Sequence, residues 1–365
     1  MDEPEKRRLL AALLEDTRCV AQYSAAIKHL CSAKYKSSDG VSNVAHFVDL
    51  DLCNGLEVQS SGAEDGVVYL VNPVGGEVEF FIVGFVKMAR FPPIRPRQHP
   101  FVIESGTYKN PLQLISAIAL VAPYSSENWA HCVDGIGKLC QRIATASTMR
   151  MFKAFEPLRW STCPSNQPVE DQPVELFFTR NIFTRRRDVH AHRIAGDVID
   201  KLPMAFDPNG QVAHMLRENK SLCCLDDNIV SFSDHSLTSI GGSANEIHGD
   251  AIVPGQLVYV TFTLRGMRLG GGQYSADRRR GDSEEWRFRP TVRSVTILSK
   301  RGPLVMQQKL QADLCAAAKD SLDSSEDRKV TVGSRRRDHT EHVAQQLKRL
   351  RLDDAGAEDD GGDSG

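Results

Sequence analysis

The clearest alternation of apolar and polar positions lies between Gly255 and Lys300. After the turn signal at Pro254, apolar residues alternate with polar ones, which is the period of a strand with one face toward a core. The apolar members are Val258, Val260, Phe262 and Leu264. The pattern therefore predicts a strand that turns Tyr259 and Arg265 outward.

A second strand is predicted from Trp286 to Ser299. One set of alternating positions holds Phe288, Val292 and Leu298, and the other holds Arg287, Arg289, Arg293, Val295 and Ile297. The first part therefore shows three arginines on one face, and the second part is apolar on both faces, as in a strand that becomes covered on both sides. Pro290 cannot donate a backbone hydrogen bond, so it predicts an edge position or a bulge.

Positive charge accumulates around these two strands. Over residues 257–300, nine basic residues oppose four acidic ones, which gives a local charge of about +5 in a chain whose formal charge is −2. Such a surface attracts polyanions, although solvated charged faces are also common. The predicted nucleic-acid contacts are Tyr259, Arg265, Arg268, Arg278, Arg279, Arg280, Arg287, Arg289 and Arg293. A base would stack on Tyr259 and phosphates would meet the arginines if the two faces coincide.

The rest of the chain shows both helical and strand periods. The predicted elements are helices over 4–31, 126–155, Gln211–Glu218 and Pro303–Leu322, a strand over His46–Cys53, and a hairpin of Val67–Val71 with Val78–Met88. Residues 161–173 are rich in Pro, Ser and Gln and have no apolar period, which is typical of a linker. We therefore predict an α+β chain, mainly β with flanking helices.

Two domains and a tail follow from that linker. The first domain covers 1–160, and the second, β-rich domain covers 174–322 and is compatible with a small barrel of the oligonucleotide-binding type. Residues 323–365 are predicted to be mostly disordered, because their last part lacks apolar content. Two basic clusters in this tail resemble a bipartite nuclear import signal.

A metal site is a further hypothesis for the segment that follows Arg185-Arg186-Arg187. If that segment is a strand, Asp188, His190 and His192 lie on one face, and carboxylate and imidazole suit divalent cations. The segment also resembles the His-hydrophobe-His motif of single-strand nicking enzymes of the replication-initiator type. That resemblance implies a tyrosine nucleophile, here Tyr259 or Tyr274, and Ala191 is smaller than the residue usual between the histidines.

Composition limits the remaining choices. The chain has 365 residues and nine cysteines without regular spacing, and we expect reduced thiols, no secretory signal and no membrane span. The common phosphate-loop, dinucleotide, serine-hydrolase and zinc motifs do not occur, so we expect no cofactor. Three hypotheses remain open for a nuclear or cytoplasmic protein. They are binding of nucleic acid, preferably single-stranded DNA, a non-catalytic protein-interaction or scaffolding role with protein partners, and a metal-dependent single-strand nuclease.

Overall fold

The fold is taken from a computed structural model of the whole chain. It describes residues 3–30, 40–60, 67–72, 75–93, 112, 114–124, 126–146, 158–159, 174–190, 197–236, 245–269 and 285–326. Two compact units divide the chain, Met1–Leu310 and Gln311–Gly365. The predicted linker, 161–173, and the tail from residue 327 onward lie outside the described residues.

Helices lie at both ends of the described chain and between its strands. They are α1 (Glu3–Glu15), α2 (Thr17–Leu30), α3 (Leu50–Asn54), α4 (Glu127–Ala146), α5 (Arg186–His190), α6 (Gln211–Glu218) and α7 (Arg301–Glu326). The prediction of α6 is confirmed, and that of α4 is confirmed over Glu127–Ala146. Helix α7 continues to Glu326, four residues beyond the predicted helix end at Leu322.

The strands form one large mixed sheet and one small two-stranded sheet. They are β1 (Ser42–Asn43), β2 (Glu57–Ser60), β3 (Val67–Val71), β4 (Phe80–Arg90), β5 (Ile115–Val121), β6 (Leu158–Arg159), β7 (Val174–Asn181), β8 (Thr184–Arg185), β9 (Leu222–Cys223), β10 (Ser231–Asp234), β11 (Asn245–Glu246), β12 (Leu257–Leu269) and β13 (Glu285–Ser299). The main order is β11-β10-β13-β12-β4-β5-β7-β6, and β8 pairs with β9 apart from it.

The centre of the large sheet is the antiparallel pair β12–β13. Their register runs from Leu257 opposite Ser299 to Leu269 opposite Glu285, which confirms both predicted strands. Val260 and Phe262 on β12 are fully buried, as their alternation predicts. The prediction of an outward-facing second set was wrong for Thr263, which is also fully buried. Strand β12 is therefore an interior strand, covered on both faces along much of its length.

The large sheet crosses the predicted domain boundary. Strand β4, from the predicted first domain, pairs with β12, and β5 pairs with β7. Strands from both sides of 161–173 therefore share one sheet within the unit Met1–Leu310. The order ends at β11 and β6 without closing, so the described residues form an open α+β sheet and the predicted small barrel was wrong.

Two aspartates change the predicted elements near the N-terminus. The helix predicted over 4–31 is broken at Asp16, whose carboxylate accepts from the backbone N–H of Arg18 and of Cys19 and so begins a new helix. The strand predicted at His46–Cys53 was wrong. A 3-10 turn over Val44–Val48 leads to Asp49, whose carboxylate accepts from Asp51 N and begins α3.

The sequence predicts that β3 and β4 form a simple hairpin, but the two strands are not paired as its arms. Both pair antiparallel with β12, β4 along Leu257–Phe262 and β3 along Arg265–Met267. They therefore follow one another along the same edge of β12, and the chain between them leaves that edge. Within the described residues, Val71 and Glu77 form the bridge at the base of this excursion. This detour places Glu77 beside the middle of β12.

Helix α4 packs against the sheet at close range. An added Cβ at Gly84 on β4 would lie 3.1 Å from the Trp129 ring, and one at Gly135 would lie 2.2 Å from the Val44 carbonyl oxygen. Neither glycine can therefore be replaced without moving backbone or ring atoms. The Trp129 indole N–H also donates to the Val174 carbonyl at 3.0 Å, which ties α4 to the start of β7.

Candidate nucleic-acid interface

The arginines predicted on β12 and β13 do share one face. Arg265 lies directly opposite Arg289, and Met267 lies opposite Arg287. Residues directly opposite each other in a sheet point to the same side, so the proposed coincidence of the two faces is confirmed for Arg265 and Arg289.

Arg293 joins this face through a β-bulge. Thr261 lies opposite Ser294 and Phe262 lies opposite Val292, so Arg293 is the extra residue of β13. A bulge reverses the alternation beyond it. Val292 and Val295 therefore both reach the core, although they are three residues apart. The prediction that the second part of β13 is apolar on both faces was wrong. The bulge frees Arg293 to turn toward acidic side chains.

Arg265 is held by two carboxylates from distant segments. Its Nε and Nη2 donate to the two Glu77 oxygens at 2.7 and 2.6 Å, and its Nη1 donates to Asp227 Oδ2 at 2.8 Å. The Glu77 contact is a bidentate fork, the strongest geometry for this pair. Side-chain exposure is 24 % for Arg265, 16 % for Glu77 and 18 % for Asp227, so the group is largely shielded from water.

Two further arginines complete an ion-pair network. Arg293 donates to Glu77 Oε2 at 2.6 Å and to Asp227 Oδ1. Arg180 on β7 is only 2 % exposed, and its Nη2 lies 2.8 Å from Asp227 Oδ1. We call these five residues the arginine–carboxylate network: Glu77, Arg180, Asp227, Arg265 and Arg293. It connects β7, β12 and β13 with the segment before β4 and the turn at Asp226–Asn228.

Burial and charge act against each other on the network's pKa values. Burial raises the pKa of Glu77, but hydrogen bonding by Arg265 and the charges of Arg265 and Arg293 outweigh it and hold the pKa below its ordinary value. The pKa of Asp227 is lowered in the same way, with burial opposed by the charges of the three arginines. Burial and the positive charge of Arg293 lower the pKa of Arg180 to about 10, so this guanidinium is still protonated at neutral pH.

The carboxylates of the network neutralise part of the positive charge that the sequence concentrates on β12 and β13. Glu77 and Asp227 both lie outside residues 257–300, and each is shared between arginines of that stretch. Arg265 and Arg293 therefore have internal counter-charges. They join β12 and β13 to the segments that carry Glu77 and Asp227.

Arg289 has a different environment from Arg265, although the two are directly opposed. It is half-buried, and its Nε donates to the Thr179 hydroxyl on β7. None of the described carboxylates forms an ion pair with it. Burial alone lowers its pKa. A partly desolvated cation without a counter-charge is unfavourable, so this position would gain from an external anion.

Arg287 and Phe177 extend the surface around Arg289. Arg287 is exposed and lies two residues along β13 on the same face. Phe177 lies two residues before Thr179 on β7, on the same face as that threonine, and its ring is 37 % exposed. The sequence reasoning missed Phe177. Its signal is an aromatic residue that alternates with the polar residues Glu175 and Thr179.

Tyr259 is less available than predicted. It is half-buried, and its ring stacks on Phe81 with centroids 5.0 Å apart and planes 30° apart. The side chain of Arg268, and all of Arg278, Arg279 and Arg280, lie outside the described residues.

The metal hypothesis does not have the backbone that it requires. Arg186–His190 forms helix α5, and not the predicted strand. The two-residue alternation of a strand, on which the predicted site depends, is therefore absent over Arg186–His190. His192 lies outside the described residues. In the described part of the chain, no group of three or more His, Cys, Asp or Glu side chains has a metal-binding arrangement.

No helix in the described ranges has the length and apolar character needed to span a bilayer. Comparison with protein-family models, with curated proteins and with solved structures finds no match for this chain. The inferences about function therefore rest on the geometry of its own residues.

Proposed function

We propose that the protein binds single-stranded nucleic acid around Phe177 on β7 and around Arg287 and Arg289 on β13. In this proposal Arg287 and Arg289 meet backbone phosphates, and a base stacks on Phe177. We call these three residues the outer contact set. The proposal keeps two of the arginines expected from the sequence and replaces Tyr259 with Phe177 as the stacking ring.

The observation that carries the proposal is the half-buried guanidinium of Arg289, which no described carboxylate balances. Arg265, which lies opposite Arg289 on the next strand, is paired with the carboxylates of Glu77 and Asp227. A nucleic-acid phosphate would supply the missing negative charge to Arg289, and Arg binds phosphate through a planar, bidentate fork.

The exposed ring of Phe177 favours single strands over duplexes. Thr179 links the two groups, because it lies two residues from Phe177 on β7 and accepts from Arg289. A strand that places a phosphate at Arg289 would therefore bring a neighbouring base toward Phe177. Bases can stack on an aromatic ring only when they are not already stacked in a duplex, which is the usual basis of single-strand preference.

Two arginine side chains hold together the strands that carry this surface. Arg180 donates to the Val292 carbonyl at 2.5 Å, and Arg289 donates to Thr179, so arginines from both strands connect β7 to β13. The topology shows no backbone pairing between these two strands in the described residues. Their side chains thus fix the spacing between Phe177 and Arg289. A binding protein of this kind fits a nuclear or cytoplasmic location.

The test is a titration of the full chain against fluorescent oligonucleotides. Anisotropy would be followed for a single strand of about 16 nucleotides and for its duplex, at about 50 mM and about 200 mM salt. We expect tighter binding of the single strand and weaker binding at the higher salt. Equal binding of both forms would remove the stacking role, and no binding at the lower salt would end the proposal. An acidic polypeptide of matched charge that competes as well as DNA would instead favour a protein partner.

A further inference from the structure

A second group of cations is assembled near the far end of β7. Strand β8 pairs with β9 so that Arg185 lies opposite Leu222. The backbone N–H of Arg186 then donates to the Ser221 carbonyl at 2.9 Å. This antiparallel pairing brings Lys220, which precedes Ser221, alongside the arginines. We call Arg185, Arg186 and Lys220 the β8–β9 basic patch.

The patch is fixed to the sheet through buried polar contacts. The Thr184 hydroxyl donates to Asn228 Oδ1 at 3.0 Å, and Asn228 Nδ2 donates to the Asn181 carbonyl at 2.9 Å. Asn228 is only 6 % exposed and follows Asp227 of the arginine–carboxylate network. A buried amide with satisfied hydrogen bonds holds the end of β7 and the start of β8 in a fixed relation. The basic patch is therefore built on a rigid support.

Within the described residues, no ion pair neutralises the cations of the patch. Arg186 and Lys220 are exposed, Arg185 is half-buried, and none of the three forms an ion pair with a described residue. Glu218 and Asp226 are the exposed acidic residues in the segments on either side of β9, and neither is paired with the patch. This contrasts with the network, where each arginine lies against a carboxylate.

We infer that the β8–β9 basic patch extends the single-strand binding surface, so that one strand runs from Arg289 and Phe177 along β7 to Arg185, Arg186 and Lys220. This inference rests on the proposed function. On the face of β7 that carries Phe177, both Phe177 and Asn181 are exposed, and Thr179 between them is buried. An extended chain from Phe177 to Arg185 covers at most roughly 27 Å.

The test compares short and long oligonucleotides on the full chain. The variant is Arg185→Ala with Arg186→Ala, and the matched control is Arg18→Ala with Lys28→Ala, two exposed cations on α2. The probes are single strands of about 4 and about 16 nucleotides, the range of site sizes for one small binding fold. Because only the longer probe spans both groups, we expect the variant to weaken its binding about tenfold. Its salt slope should fall by about 1.4, for two lost contacts on a single strand.

Three results would distinguish the alternatives. The inference is supported if the short probe binds the variant and the wild type equally, and if Arg185→Lys with Arg186→Lys restores the long probe. It is overturned if the wild type binds both probes but the variant changes neither, or changes both equally. If the wild type binds neither probe, the proposed function fails and the inference fails with it. Circular dichroism and melting temperature would confirm that each variant is folded.

Discussion

Arg265 and Arg289 lie directly opposite each other on neighbouring strands, yet only Arg265 is ion-paired within the described chain. Like charges in this position destabilise a sheet unless something compensates them. Glu77 and Asp227 compensate Arg265, whereas the partner of Arg289 among the described residues is the Thr179 hydroxyl. This asymmetry is the reason that Arg289, and not Arg265, is proposed to bind a phosphate.

The first prediction concerns the phosphate contacts. Arg287→Ala and Arg289→Gln should each weaken binding for all sequences alike and reduce the salt slope by about 0.7 to 1, because each removes one phosphate contact. Anisotropy titrations at several salt concentrations measure the slope. Arg18→Ala is the control and should leave it unchanged.

Residues Arg278, Arg279 and Arg280 provide a separate control for the same titration. These residues lie outside the described chain, and the sequence alone predicts them as contacts. Replacing all three with alanine should remove part of the affinity if the outer contact set binds nucleic acid. Loss of nearly all affinity in this variant, with Arg287→Ala and Arg289→Gln unaffected, would assign the binding to a merely charged loop.

The second prediction separates stacking from packing. Phe177→Leu should weaken single-strand binding by roughly 1–3 kcal/mol with little change in salt slope, and Phe177→Trp should retain it, because only a ring can stack a base. Tyr259→Leu is the matched control. Its ring already packs on Phe81, so its loss should lower stability by about 1 kcal/mol. Affinity of the folded Tyr259 variant should change little. If Tyr259→Leu weakens single-strand binding more than Phe177→Leu does, the stacking ring is Tyr259.

The third prediction concerns the pH dependence of stability. Folding lowers the pKa values of Glu77 and Asp227, so both carboxylates bind protons more readily in the unfolded chain. Their stabilisation is therefore fully present above their unfolded pKa values, of 4.5 and 3.8, and is lost as pH falls through the lower folded values. Thermal unfolding followed from pH 7 toward pH 3 should show this loss.

Glu77→Gln isolates this contribution. At pH 7 it should destabilise the fold by roughly 3 kcal/mol, because it leaves two largely buried guanidinium groups without their shared carboxylate. Its stability should then depend less on pH below pH 5 than that of the wild type. Glu57→Gln, at an exposed position on β2, is the control and should behave like the wild type. If Glu77→Gln loses stability on acidification in the same way as the wild type, the network is not the source of the pH dependence.

Local sequence patterns predicted the central strands well. The alternation in β12 and most of β13 survives in the structure because both strands bury one continuous apolar set, including Val260 and Phe262. The bulge at Arg293 was not predicted beyond the expectation of an edge or bulge at Pro290. Parity counted from Trp286 therefore fails after Val292, since an extra residue shifts every later side chain.

The ion-pair partners could not be predicted from local patterns. Glu77 lies 188 residues before Arg265, and Asp227 lies 66 residues before Arg293. Only the arrangement of the sheet brings them together, so the local charge count overstated the free positive charge. In contrast, the capping carboxylates of Asp16 and Asp49 act within three residues, and the sequence carried signals for both helix starts.

The fourth prediction tests whether the sheet is shared across the predicted linker. A protease site inserted at 161–173 should allow cleavage without separating the two fragments, because β4 pairs with β12 and β5 pairs with β7 across that point. Gel filtration under native conditions should show the fragments co-eluting, and denaturant should release them. Two independently folded fragments that elute separately would restore the two-domain prediction.

Photochemical crosslinking tests the binding surface most directly. A single-stranded oligonucleotide with 5-iodouracil at successive positions would be irradiated with the full chain, and the crosslinked peptides would be identified by mass spectrometry. We expect the crosslink in the peptide that contains Phe177, and we expect it to disappear in Phe177→Leu while Tyr259→Leu retains it. Crosslinks confined to Tyr259 or to residues 278–280, or no crosslink at low salt, would contradict binding at the outer contact set.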